Sequence, residues 1–454
     1  NSSWLRGNFS GRLGWQAGPE LDAAFSLRVH ASEWDAPGYI PKDQFDDEDA
    51  ALHQAVNAEN DGGNKAFSTE RFDLGYNLSG ERRVLAWAYS TQQDFTRFAK
   101  FGYDPGGQTE RLYDRTVYGT GTSYNFSQVL RDKELKGVAG IEYLHEATEW
   151  LRYNTENRVR REQSQDRDFS INTLSLFAQA DYAYHPLFKP WLGFRYDTFS
   201  GEYENNDPGS TPSTWDMNDY SHLSPKIGFL SPVHETLDLR ASYSQGFALP
   251  SDVLKYNSDA GDTATIVHQY ETGLRLEPSD FLTADLSFFL IDTEDEIQEY
   301  PSGSGRYVNL GETRRRGLEL SATLRPNVHG LELFGDITVI STEITSNPDA
   351  AMVGKEITGV PGYTTNLGLR YHAASGFSGR IKWRHVDSYY IDGTNTISYE
   401  GYDVTDASLG YEGMTENGTG WRVNLDVDNL FDAHYSQAAW SGYDTTNYAV
   451  SPGQ

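Results

Sequence analysis

Three runs of residues have the types that chemistry uses, and each lacks the spacing that chemistry needs. His145-Glu146 begins like the HExxH motif of zinc hydrolases, in which two histidines one helical turn apart hold the metal, but Glu149 stands where the second histidine would be. Ser302-Gly303-Ser304-Gly305 is glycine-rich, yet no helix is expected after it to present backbone N–H groups to a phosphate. Asp46-Asp47-Glu48-Asp49 offers four carboxylates without the alternating oxygen-ligand spacing of a calcium loop, and it reads as a solvated charge run. Cysteine is absent, which removes disulfides, thiolate metal sites and cysteine nucleophiles. No enzyme is indicated, no metal site is assigned, and no covalently bound cofactor is expected.

The residues left with a recognition chemistry are aromatic. Tyr, Phe and Trp make up 13% of the chain, more than so polar a sequence needs for a core. Rings with polar tips suit the two membrane–water interfaces, and rings stack on flat organic molecules. The scaffold that must hold them is not helical: only 37% of residues are hydrophobic and no long apolar run occurs, so a helical membrane protein is excluded. A barrel is allowed, because only every second residue of its strands faces lipid.

That alternation is present. Leu174, Leu176, Ala178, Ala180 and Tyr182 interleave with Thr173, Ser175, Gln179 and Asp181, and Trp421, Val423, Leu425 and Val427 interleave with Arg422, Asn424, Asp426 and Asp428. Period-two patterning with charge on one side and bulk on the other predicts strands that are lipid-facing on one side and lumen-facing on the other. Strands are expected near 4–15, 21–32, 65–78, 82–97, 112–126, 134–149, 168–185, 190–203, 220–230, 237–248, 266–278, 282–299, 306–326, 331–344, 358–372, 376–390, 401–413 and 420–432. The fold class is therefore all-β: one large transmembrane antiparallel β-barrel with about eighteen strands in this stretch.

Connection lengths alternate. Turn-like connections fall at 16–20, 80–81, 187–189, 231–235, 279–281 and 327–330, and long polar ones at 33–65, 100–110, 150–167, 204–219, 249–265, 345–357 and 433–450. Outer-membrane barrels keep short turns in the periplasm and long loops outside, so the first strand is expected to descend and the last clear strand to ascend. An unpaired edge then remains on each side, and further strands are expected beyond both. The net charge of -29 speaks against nucleic acid as a partner and fits acidic loops at a cell surface, solvated or bridged by divalent cations to lipopolysaccharide. Residues 1–7 do not have the form of a signal peptide.

Five segments together resemble TonB-dependent outer-membrane transporters. They are Leu223-Ser224-Pro225-Lys226-Ile227-Gly228, Tyr243-Ser244-Gln245-Gly246-Phe247-Ala248-Leu249-Pro250, Asn309-Leu310-Gly311-Glu312-Thr313-Arg314-Arg315-Arg316-Gly317-Leu318-Glu319-Leu320, Gly359-Val360-Pro361 and Asn429-Leu430-Phe431-Asp432-Ala433-His434-Tyr435, in the family's order. The resemblance implies a 22-strand barrel filled by an N-terminal plug, with a short periplasmic segment that binds TonB. Residues 1–454 would then be a single barrel domain carrying the fourth to twenty-first strands, with the plug, the opening strands and the closing strand outside it. At least one of Arg314, Arg315 and Arg316 must face the lumen, where a charge paired to carboxylates is expected, and 429–435 reads as a strand end with an interfacial aromatic.

The function the resemblance implies is active import of a scarce solute, most commonly a ferric siderophore as cargo, energised by the TonB–ExbB–ExbD complex from a monomeric receptor in the outer membrane. A flat chelate is held by stacking and a few polar contacts, so the candidate ligand-binding residues are the outer-loop aromatics Trp34, Tyr39, Trp215, Tyr256, Tyr300, Tyr307, Trp440 and Tyr443, with Phe247 opening the passage from 247 to 254. The acidic balance suits neutral or cationic cargo, which keeps cobalamin or another organic nutrient open as an alternative. A passive porin or adhesin on a large barrel is the reading from a different class, distinguished by whether a plug-sized domain lies upstream of Asn1.

Overall fold

The computed structural model describes residues 3–36, 38–45, 60–100, 107–250, 252–256, 263–299, 307–326, 328–442 and 445–449. The first strands are β1 (Trp4–Gln16), β2 (Leu21–Asp35), the short β3 (Tyr39–Pro41), β4 (Gly62–Leu78), β5 (Arg82–Lys100), β6 (Gln108–Leu130) and β7 (Lys133–Glu156). Next come β8 (Val159–Tyr182), β9 (Lys189–Asn205), the short β10 (Ser213–Asp216), β11 (Tyr220–His234), β12 (Leu237–Ala248), β13 (Thr265–Ser279), β14 (Leu282–Glu299) and β15 (Tyr307–Leu324). The last are β16 (Leu331–Ser346), β17 (Tyr363–His372), β18 (Phe377–Val386), the two-residue β19 (Tyr389–Tyr390) and β20 (Ser398–Tyr399), β21 (Tyr402–Met414), β22 (Gly420–Val427), β23 (Ala439–Gly442) and β24 (Thr445–Ala449).

Nineteen of these form one antiparallel sheet in which each long strand pairs with the next long strand of the chain. Eighteen match the expected strands, and the nineteenth, β10, folds back on β9 within the connection expected at 204–219. Among the described residues β1 pairs only with β2, and β22 only with β21. In hydrocarbon an unpaired backbone N–H or C=O costs several kcal/mol, roughly, so this ladder of main-chain bonds is what makes the fold possible there.

The two faces are unlike. Leu174 and Leu176 are 45% and 46% exposed, whereas Ser175 between them is 1% exposed. Its hydroxyl donates to Asp197 and accepts from Arg195, whose Nη2 also lies 3.3 Å from Glu142. The exposed apolar side is the lipid face and the ion-paired side is the lumen. Glycines let lumen arginines cross a strand. Arg83 reaches from β5 over β4 to Asp22 of β2 at 2.7 Å, and a Cβ on Gly75 would lie 2.2 Å from the Arg83 Nη2. Arg240 of β12 likewise passes over Gly273 to Asp285 of β14 at 2.7 Å.

Several boundaries differ from expectation. The connection expected at 150–167 is almost entirely strand: β7 and β8 run to 24 residues each and meet in a tight turn at Asn157 and Arg158, whose φ angles are 51° and 63°. The connection expected at 100–110 ends earlier, because β6 already begins at Gln108. In the other direction, β17 begins at Tyr363, β18 ends at Val386 and β22 ends at Val427, each shorter than its period-two pattern suggested. Within the connection expected at 433–450, β23 pairs with β24, and β24 pairs with β3 from the far end of the sequence, Asn447 opposite Pro41 and Tyr448 opposite Ile40.

Of the Arg314–Arg316 triplet, Arg315 faces the lumen and meets Glu296 at 3.3 Å, while Arg314 pairs with Asp292 on the other face. Asn429 closes a turn by accepting from the Ala433 N–H at 2.8 Å and donating to the Ala433 carbonyl. The exposed aromatic of this run is Phe431, at 73%, whereas Tyr435 is 7% exposed and packs on Tyr402, ring centroids 4.5 Å apart.

Candidate functional site

Strand parity concentrates aromatic side chains on the lumen face where the long strands approach the outer loops. Phe95, Tyr113 and Trp150 are direct cross-strand partners on β5, β6 and β7, and Phe169, Tyr203 and Trp215 are partners on β8, β9 and β10. Their rings form one belt. Centroid separations run from Trp34 to Phe95 at 5.9 Å, Phe95 to Tyr113 at 6.0 Å, Tyr113 to Trp150 at 5.7 Å, Trp150 to Phe169 at 6.2 Å, Phe169 to Tyr203 at 4.9 Å and Tyr203 to Trp215 at 5.1 Å. Cross-strand aromatic neighbours add about 0.5–1.5 kcal/mol per pair beyond the area they bury, so the belt also stiffens the wall. Gly63 of β4 is what admits Trp34, since a Cβ there would lie 2.8 Å from its ring.

Polar groups hold the belt's surroundings. Arg167 lies over Trp150, 5.2 Å from the ring centre, and forks onto Asp207 at 2.7 and 3.1 Å. Asp207 sits in the turn beyond β9. Burial alone would raise its carboxyl pKa, but the hydrogen bonds from Arg167 and the Asp166 N–H, with the Arg167 charge, outweigh burial and keep it below the ordinary range. At the rim, Arg158 from the β7–β8 turn donates to Asp35 at 2.6 Å and to the carbonyls of Asn60 and Asp61. Buried Gln108 donates to Asp61 and accepts from Thr155 and the Arg158 N–H. These bonds tie the turn to the connection between β2 and β4.

The predicted residues fall into distinct places. Trp34 and Trp215 are the two ends of the belt, and Trp215 is 40% exposed. Phe247 is not a member of the belt: its ring lies 5.6 Å from Phe199 and 4.7 Å from His222. Tyr256 is 2% exposed. It packs on Phe169 and Tyr203 and donates to the Ser170 carbonyl, and burial pushes its phenol pKa well up. It pins the segment after β12 to the wall and offers no ring face to a ligand. Tyr39 lies in β3, Tyr307 opens β15 opposite Glu299, and Trp440 lies in β23. Tyr300, Tyr443 and the runs at 46–49 and 302–305 lie outside the described residues. His145 and Glu146 point to opposite faces, the first to Asn172 and the second to Arg115, so they share no site.

Sequence reading missed Phe95, Tyr113, Phe169 and Tyr203, which fall in expected strands, and Trp150, which was expected to open the connection 150–167 and lies instead in β7. Their signal was a single aromatic near the outer end of each of five consecutive long strands, and their adjacency is visible only once the register is known.

Residues 6–430 match the sequence profile of the TonB-dependent receptor-like β-barrel. The ferrichrome outer membrane transporter/phage receptor of Escherichia coli (strain K12) is 26% identical over 257 residues, 56% of this chain and 33% of that protein, so the chain spans about a third of the relative it matches. Among solved structures, the unliganded ferric citrate transporter FecA superposes with a TM-score of 0.83 at 16% identity, covering 99% of this chain and 68% of that one. The siderophore receptor PiuA from Acinetobacter baumannii gives 0.80 at 13%, covering 100% and 73%. These likenesses show the fold. With the lipid-facing apolar band and the match across nearly the whole sheet, the chain belongs to the TonB-dependent receptor β-barrel family and its place is the outer membrane.

Proposed function

We propose that this chain is the wall and mouth of an importer that captures a ferric siderophore outside the cell and releases it inward with energy delivered by TonB, ExbB and ExbD. The observation that carries this reading is the aromatic belt from Trp34 to Trp215, which faces the lumen at the outer end of the barrel where a solute enters. A ligand site of this kind is an apolar, ring-lined concavity with a few fixed polar groups, and Arg167 held by Asp207 is such a group. The work is capture and passage, with no bond made or broken in the cargo by the wall. Trp34, Trp215 and Phe247 are proposed to touch it, with Tyr39, Tyr300, Tyr307, Trp440 and Tyr443 proposed as further loop contacts. The receptor acts as a monomer surrounded by lipid and lipopolysaccharide, within a 22-strand barrel with its own plug.

The test is growth of a deletion strain on a panel of ferric chelates and cobalamin, with and without iron limitation and with and without TonB. Loss of growth on one ferric chelate, under iron limitation and dependent on TonB, is expected. Unchanged growth on every chelate, together with faster passive swelling of vesicles carrying the protein, would sink the reading in favour of a porin.

A further inference from the structure

We infer that the wall has a second entrance, a slot between β11 and β12 through which an amphiphilic cargo, a polar chelating head on an acyl tail, enters sideways from the outer leaflet. This rests on the capture reading above and adds a route to it. The ladder joining the two strands stops at Lys226 opposite Ser244. Both strands continue beyond that pair: β11 through 220–225, paired to β9, and β12 through 245–248, paired to β13. Among the described residues no strand pairing joins those two stretches. A cavity of about 270 Å³ opens there, lined by Ser221 and His222, neighbours that face opposite sides of the sheet, and by Phe247 and Ile266. One cavity reaches both faces only where the sheet is interrupted.

The height of the split decides what can use it. Tyr243 and Tyr270 are direct partners one step below it, and Tyr196 stands opposite Leu223; rings with polar tips mark the membrane–water boundary. The slot therefore opens in the head-group layer. Unpaired backbone is forbidden any deeper in lipid, and Pro225, the first β11 residue beyond the ladder, brings no N–H to the gap. Gly246 leaves the gap open, since a Cβ there would meet nothing within 4 Å. Phe247 is the door: its ring reaches from β12 to Phe199 of β9 and His222 of β11. His222 pairs with Asp197 and so stands on the lumen side, and its Nε2 is buried without a hydrogen-bond partner. Phe199 in turn packs on the cluster of Tyr203, Met217, Tyr220 and Tyr256, of which Tyr203 belongs to the belt. A head entering from the leaflet answers His222 and passes to the rings, while its tail stays in hydrocarbon along the exposed Leu223 and Ile227. A cargo without a tail does not collect in the head-group layer and uses the open mouth.

The experiment uses cells of the deletion strain carrying the whole protein, with labelled iron delivered as ferric tris-hydroxamate and ferric tris-catecholate, each with and without a dodecanoyl chain. For a head that is carried, the acylated form should reach half-maximal uptake at a concentration about tenfold lower or more, because the tail concentrates it at the membrane. Gly246→Trp fills the slot, and Ser224→Cys with Gly246→Cys staples it in a chain that has no other cysteine. Each should lower acylated uptake about tenfold and leave unacylated uptake unchanged, and a reductant should restore the stapled variant alone. Heat-modified electrophoresis checks that both variants are folded. An acylated form carried no better than its parent, unchanged acylated uptake in Gly246→Trp, or an equal loss of both forms overturns the lateral entrance and leaves capture at the mouth standing. No TonB-dependent uptake from these four or from the wider panel of chelates overturns the capture reading and this inference with it.

Discussion

The two faces of the wall from β5 to β9 carry opposite charge at nearly the same height. Inside, Arg97, Arg111 and Arg152 stand in one row above the aromatic belt. Outside, Asp94, Asp114, Glu149, Asp168 and Glu204 form an unbroken row of direct cross-strand partners across five strands. In β6, Arg111 and Asp114 are three residues apart, and that odd step puts them on opposite faces. A net charge of -29 therefore does not give the sign of charge at any one place on the wall. What a chamber prefers is decided by parity, which no composition records.

The difference predicts that capture depends on the inner face alone. Trp150→Ala removes the centre of the belt, and truncating a buried aromatic anchor of this kind costs about 2 kcal/mol or more, so chelate affinity should fall about thirtyfold, measured by uptake of labelled iron or by quenching. Retained affinity would show that the belt is packing only.

Arg158→Ala cuts the bonds that tie the β7–β8 turn to Asp35, Asn60 and Asp61. Opening of the rim should become easier by about 1–3 kcal/mol, seen as faster hydrogen exchange at residues 60–63 and 107–110, with the strands below the belt unaffected.

The third prediction concerns pH. A carboxylate whose pKa is depressed by folding stabilises fully above its unfolded value, about 3.9 for aspartate, and that stability is lost as pH falls through the lower folded value. Because Asp207 is depressed, protease cutting in the connection 206–212 should stay constant from neutral pH down to about 4 and rise only below it. Asp207→Asn should be cut faster from neutral pH down to about 4, with the difference from the unmodified protein closing below that as Asp207 itself is protonated. Onset of cutting near pH 6 would contradict the Arg167 pairing.

The smallest effect belongs to the outer row. Glu149→Gln with Asp168→Asn removes two opposed like charges, each such pair costing about 0.2–1 kcal/mol, so the unfolding temperature read by heat-modified electrophoresis should rise slightly at low salt and not at high salt. Chelate affinity should not move; a change there would mean that the two faces are coupled.

How legible this was follows the same physics. The eighteen long strands could be read because lipid on one side enforces alternation of apolar and polar residues. Beyond the bilayer both faces meet water and the rule lapses, which is why 150–167 reads as loop although β7 and β8 continue through it. Their turn also hides, since Asn157 and Arg158 adopt positive φ without the glycine that usually marks such a place. Trp34 and Trp215 were visible as isolated rings near loops. The belt between them was not, because cross-strand adjacency comes from register over long sequence distances. Tyr256 shows the converse: a loop position near the mouth says nothing about whether its ring is offered or spent on the wall.

The small sheet of β3, β23 and β24 bears on the order of assembly. It brings residues 39–41 against 447–449, so its hydrogen bonds must wait until nearly every intervening strand has been made and threaded beside its neighbour. Closing a loop of that size costs little more than closing a moderate one, since the penalty grows only with the logarithm of length, yet a contact so distant in sequence forms late. This clasp should therefore be the last piece of the mouth to set during biogenesis, and trapped intermediates should be recognisable by lacking it while the eighteen-strand wall is already protected.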